Sequence, residues 1–153
     1  MKLLAHIELE GNPSTVTAQQ NGIRVNNGIA YHYVKNKVQK AKVDLARQLI
    51  PYKPTEPFDG FLCLRVVWRF SRSSWKNKAQ RTSYKRTKPD LDNMVKGLAD
   101  VMTGLKFWHD DNQLSRLELS KIWNERGGLL IEIYRLTPED YENEINTFDE
   151  VKK

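Results

Sequence analysis

The run Phe61-Leu62-Cys63-Leu64-Arg65-Val66-Val67-Trp68-Arg69-Phe70 constrains the fold more than any other segment. It is apolar on both alternating faces except at Arg65 and Arg69. A strand of that kind belongs in the middle of a sheet, not at a solvated edge. The sequence also supplies its neighbours. Leu3, Ala5, Ile7 and Leu9 alternate onto one face of a short strand over 3–9. Residues 114–123 and 129–136 read as two further strands, joined by the polar turn Asn124-Glu125-Arg126-Gly127-Gly128. Asn27-Gly28 stands between two β-prone runs, and both residues tolerate positive φ, which predicts a tight hairpin.

Helical spacing interrupts these strands. Val38, Ala41, Leu45 and Leu49 recur at three- and four-residue intervals over 34–50, with Pro51 and Pro54 as stops. Leu91, Met94, Val95, Leu98, Val101 and Met102 form one stripe over 91–104. Pro89 and Asp90 suit the start of that helix and Gly104 its end. Thr137-Pro138-Glu139-Asp140 opens a third helix, whose Tyr141, Ile145 and Phe148 are placed to dock on the body or on another copy. The expected class is α+β, a mixed or antiparallel sheet packed with helices. We divide the 153 residues into a body over 1–136 and an acidic tail over 137–153.

The net charge of +6 is unevenly spread. From Thr137 on, six carboxylates face two lysines, which leaves a net +10 on the body. No acid occurs between Gly60 and Pro89, where Arg72, Lys76, Lys78, Arg81, Lys85, Arg86 and Lys88 interleave with Trp75 and Tyr84. Cations interleaved with aromatics suit contacts to a nucleic-acid backbone and stacking on bases, so these seven are the expected DNA-binding residues. Charge alone does not separate nucleic acid from an anionic membrane surface. No stretch approaches the roughly 20 apolar residues of a membrane span, and the apolar run at the start is too short for a secretory signal. The single Cys63 lies in the apolar run and cannot form an intrachain disulfide. The expected compartment is the cytoplasm.

Directly behind the basic stretch come Lys88-Pro89-Asp90-Leu91-Asp92-Asn93-Met94-Val95-Lys96 and, further on, His109-Asp110-Asp111-Asn112-Gln113. Carboxylates clustered beside a positive surface repel the phosphates it attracts, unless a cation sits among them. With the stripe facing the core, Asp92, Asn93, Lys96 and Asp100 fall on the exposed side of the helix. Asp90 and Asp92 converge near its N-terminus. Asp110 and Asp111 come from the next loop, and one of them is expected to reach the same point; the chemistry does not rank them. Hard oxygen ligands suit Mg²⁺, with Mn²⁺ as a substitute, and not zinc. Lys96 would offset charge on a phosphate undergoing displacement. The plain alternatives are a helix cap at Asp90 or Asp92 and a surface ion pair between Asp92 and Lys96. His109 reads as a solvated loop histidine. Glu118 and Lys121 do not make an acid-x-lysine nuclease motif, because three residues apart on a strand they face opposite sides.

The order Lys88-Pro89-Asp90-Leu91-Asp92-Asn93-Met94-Val95-Lys96, then Asp100-Val101-Met102-Thr103-Gly104, then Asp110-Asp111-Asn112-Gln113 resembles the RusA family of Holliday junction resolvases. The resemblance is closest over 85–113. It implies a Mg²⁺-dependent endonuclease that acts as a homodimer and nicks two strands of a four-way DNA junction symmetrically, in recombination and repair. It implies Asp90, Asp92 and Asp111 as catalytic, metal-binding carboxylates, Lys96 as the essential basic residue, and Asp110 as a supporting ligand. No organic cofactor and no membrane partner are expected. The rival readings are a nuclease for flaps or forks, and a non-catalytic module that binds branched DNA.

Overall fold

The computed structural model describes residues 1–17, 22–33, 35–72 and 83–151. Strands β1 (Lys2–Glu10), β4 (Leu62–Ser71), β5 (Ser83–Tyr84), β6 (Leu114–Asn124) and β7 (Gly128–Arg135) form one sheet in the order β1-β7-β4-β6-β5. The β4–β6 pair is parallel and the other three pairs are antiparallel. The sheet is therefore mixed, and β4 is central as its apolar run requires. Strands β2 (Gly22–Asn26) and β3 (Ile29–Tyr33) make a separate hairpin. Its turn residues Asn27 and Gly28 have φ of 51° and 77°, the conformation that a two-residue turn of matching twist demands.

Parallel neighbours need a crossover. Helix α2 (Leu91–Gly104) provides it, and α1 (Asn36–Leu49) packs beside α2. Leu62, Leu64, Val66, Trp68 and Phe70 of β4 join Met94, Val95, Leu98, Val101 and Met102 of α2 in one core with Ile7, Ile131 and Ile133. Phe107 and Trp108, just beyond α2, are fully buried in the same cluster.

The other face of β4 carries Arg65, Val67 and Arg69 and is only half-buried. Arg65 sits in a row across four strands, His6–Glu132–Arg65–Glu118. Its guanidinium donates to Glu118 at 2.6 Å, to Glu132 at 3.2 Å and to the Tyr134 hydroxyl at 2.9 Å. The two arginines that interrupt the apolar run are thus members of a polar sheet face.

One local expectation needs correction. Leu3 does not share the face of Ile7 and Leu9: a bulge between Leu3 and Ala5 shifts the phase, so that Leu4 and Ala5 meet the core and Leu3 is exposed. Gly104 is the last residue of α2, as expected, and the left-handed conformation follows at Lys106, φ 64°. Helix α3 (Pro138–Val151) is tied to the body by polar contacts, while Tyr141, Ile145 and Phe148 stay exposed. The Asp140 carboxylate accepts from the N-terminal ammonium at 2.9 Å and from the Thr137 backbone and hydroxyl at 2.7 Å. Arg116 meets Glu144 at 3.0 Å.

Candidate active site

Asp90 stands at the N-cap position of α2 in extended backbone, φ −82° and ψ 144°. Its side chain makes no capping hydrogen bond, so the reading of Asp90 as a plain cap does not hold. Asp92 lies in the first turn, next to the positive end of the helix dipole. Lys96 follows one turn later on the same exposed side, while Met94 and Val95 between them are buried. Among the described residues no ion pair joins Asp92 to Lys96, so both are available to a substrate. Asp100, further along that side, meets Lys42 of α1 at 3.5 Å and is occupied there.

The structure distinguishes Asp110 from Asp111. The Asp110 carboxylate caps the 3-10 turn Asp111–Gln113 by accepting from the Asn112 backbone at 2.9 Å. The Gln113 side chain completes the box, accepting from the backbone of His109 at 2.8 Å and of Asp110 at 3.2 Å. The Gln113 amide in turn donates to the carbonyls of Phe58 and Gly60, which fixes the turn at the foot of β4. Asp110 thus has a structural role through one carboxylate oxygen. Asp111 is exposed, and its side chain has no such role.

The two acidic groups do not meet within one chain. The Asp90 end of α2 lies beside Lys121, near the far end of β6, because Lys121 donates to the carbonyls of Thr87 and Pro89. The Asp111 turn lies at the other end, where β6 begins. The intervening loop cannot fold back: Phe107 donates from its backbone to Met102, and the Trp108 indole donates to the Thr103 hydroxyl at 2.7 Å. A helix of 14 residues therefore separates the groups, a span on the order of 20 Å. Among the described residues no three His, Cys, Asp or Glu side chains gather closely enough to hold a metal ion. Within one chain, then, neither Asp110 nor Asp111 reaches the Asp90–Asp92 point. The donors fit Mg²⁺ in kind; a single chain does not assemble them.

The basic set is also sorted. Lys76, Lys78 and Arg81, together with Trp75, lie outside the described residues. Arg72 stacks on the Trp123 ring at 3.9 Å. Arg86 and Lys88 are exposed beside Asp90, as is Tyr84 on the edge strand. Lys85 departs from the expectation. It is 5% exposed, with its ammonium turned inward onto Thr87 and Lys88, and is not placed to touch DNA. Sequence reading also missed Lys121 as a partner of the acidic segment. Only the pairing of β6 with β4 and β5 brings it there. Glu118, three residues earlier, points to the opposite face and holds Arg65.

A family model for the endodeoxyribonuclease RusA matches residues 12–134. The chain is also similar to a protein of Lactococcus phage r1t named crossover junction endodeoxyribonuclease rusA. The two are 34% identical over 133 residues, covering 87% of this chain and 98% of the relative. The matched region contains both acidic groups, Lys96 and the whole crossover through α2.

Proposed function

The chain belongs to the RusA family of endodeoxyribonucleases, and from that membership we propose that it resolves four-way DNA junctions as a Mg²⁺-dependent homodimer by paired, symmetric nicks in recombination and repair. The observation that carries the reading is the exposed Asp90, Asp92 and Lys96 at one end of α2, beside Arg86 and Lys88. Arg86 and Lys88 hold the DNA backbone by charge. Lys96 faces the phosphate and opposes the negative charge that grows during displacement. Bound Mg²⁺ would supply activation of water and neutralisation at the leaving oxygen.

The separation of the acids gives the dimer a purpose. A second copy related by a two-fold axis brings its Asp111 to the Asp90–Asp92 end of the first, and the reverse. Two sites then arise together, each built from both copies, and their symmetry matches two nicks in opposed strands. In the same reading the protein works in the cytoplasm. Among the described residues no helix is long and apolar enough to cross a membrane.

The test is cleavage of a synthetic four-way junction with and without Mg²⁺. Wild type should yield paired nicks only with the ion. Asp92→Asn should lose at least about a hundredfold in rate while keeping its junction affinity. Flaps and linear duplex cut as fast as the junction would refute the junction assignment. An Asp92→Asn protein that cuts at the wild-type rate would refute the site.

A further inference from the structure

We propose that Lys85 and Lys121 are positioning residues for the cleavage reaction: their two ammonium groups grip the carbonyls of residues 87–89 and so fix the entry of the chain into Asp90 and Asp92. The proposal rests on the nuclease reading above. Neither lysine belongs to the expected catalytic set.

The geometry is that of a clamp. An ammonium has three donors. Lys85 places them on the Thr87 carbonyl at 3.1 Å, the Thr87 hydroxyl at 2.5 Å and the Lys88 carbonyl at 2.5 Å. Lys121 approaches the same strap from β6, donating to the Thr87 carbonyl at 2.9 Å and the Pro89 carbonyl at 2.8 Å. Thr87 is thus held by both. Between the two-residue strand β5 and the first turn of α2, the strap has no helical or sheet ladder of its own. One further bond, from the Lys85 backbone to the Lys121 carbonyl at 3.0 Å, ties the same two residues together.

The clamp has an aromatic floor. The Lys85 ammonium lies 4.6 Å from the Trp123 ring centre and 5.2 Å from that of Phe70. Burial lowers its pKa, and the nearby charges of Lys121 and Arg72 lower it further. A buried ammonium is costly unless its donors are satisfied, and here all three are. With its donors taken, Lys85 has none left for DNA. A carboxylate pair that must present its oxygens within fractions of an ångström needs a fixed strap, and misplacement by about 1 Å can cost on the order of a hundredfold in rate.

The experiment exploits a silent background. Cys63, the only cysteine, is fully buried and its thiol is pushed up to about 11, so it resists alkylation in the folded protein. Lys121→Cys should cleave the junction about a hundredfold more slowly, with junction affinity and melting temperature close to wild type. Treatment with 2-bromoethylamine rebuilds an ammonium of nearly lysine length on the new thiol and should restore most of the rate, which a loss of general packing would not allow. Thr87→Val, a milder change that removes one acceptor of Lys85, should lower the rate and leave affinity unchanged. It keeps the test decisive if Lys121→Cys does not fold. A folded Lys121→Cys protein that cleaves at the wild-type rate would overturn the proposal. So would one whose rate, affinity and melting temperature fall together without rescue, or a Thr87→Val protein at full rate. If the wild type cuts no branched DNA, the nuclease reading falls first and this one with it.

Discussion

Mixing two inactive proteins tests the composite site. Asp92→Asn and Asp111→Asn each remove one carboxylate from opposite ends of α2. Mg²⁺ takes its oxygen ligands at about 2.0–2.1 Å, so carboxylates that share an ion lie within a few ångströms of one another. The span on the order of 20 Å along α2 exceeds anything a change of Asp rotamer can close. If each site draws Asp90 and Asp92 from one copy and Asp111 from the other, a mixed dimer concentrates both defects in one site and leaves its twin intact. After equal mixing and subunit exchange, about half the dimers are mixed, and about a quarter of all sites are wild type. Nicking of a supercoiled plasmid that extrudes a cruciform should therefore return to about a quarter of the wild-type rate, whereas each parent alone stays inactive. Linear product, which needs two cuts in one complex, should stay near zero. If every site takes all its acids from one copy, no mixture can nick. No recovery from an exchanged, DNA-binding mixture would refute the reasoning.

Further outcomes follow from the same geometry. Asp110→Ala should cost roughly 1 kcal/mol of stability through the lost cap and retain part of the activity, while Asp111→Asn should abolish cleavage with an unchanged melting temperature; thermal melts beside rate measurements check both. Arg86→Ala and Lys88→Ala should each weaken junction binding and lower the slope of log affinity against log salt by about one, read from titrations at several salt concentrations. The Glu132 hydrogen bond raises the pKa of His6 against an opposing effect of burial, and Glu8 raises it further. The stabilisation it brings is therefore complete below the ordinary imidazole range and is lost as pH rises through the raised value. His6→Gln should lower the melting temperature at pH 6 and leave it unchanged at pH 9, measured by scanning calorimetry.

Patterns carried by neighbouring residues were legible in the sequence. The stripe from Leu91 to Met102 set both ends of α2 and turned Asp92 and Lys96 outward, as the structure has them. Asn27-Gly28 announced its turn because the turn needs only those two residues. What escaped depended on partners far along the chain. The bulge after Leu3 is a property of its pairing with β7. The inward turn of Lys85 requires Phe70, Trp123 and the strap carbonyls. Spacing alone made Asp111 seem near Asp90, since a loop of a few residues is long enough to double back. The hydrogen bonds of Phe107, Trp108 and Gln113 hold it at the opposite end.

The Lys121 grip on Thr87 and Pro89 joins residues 34 and 32 positions apart. During synthesis, a chain that has emerged only as far as Gln113 already carries every acid of the site and Lys96, but not the strand that restrains the strap. If the strap sets Asp90 and Asp92 as proposed, competence to cut is deferred until β6 has emerged and paired with β4, a late, non-local event. On that proposal, truncated or unfinished chains keep the exposed Arg86 and Lys88 without the frame that positions Asp90 and Asp92.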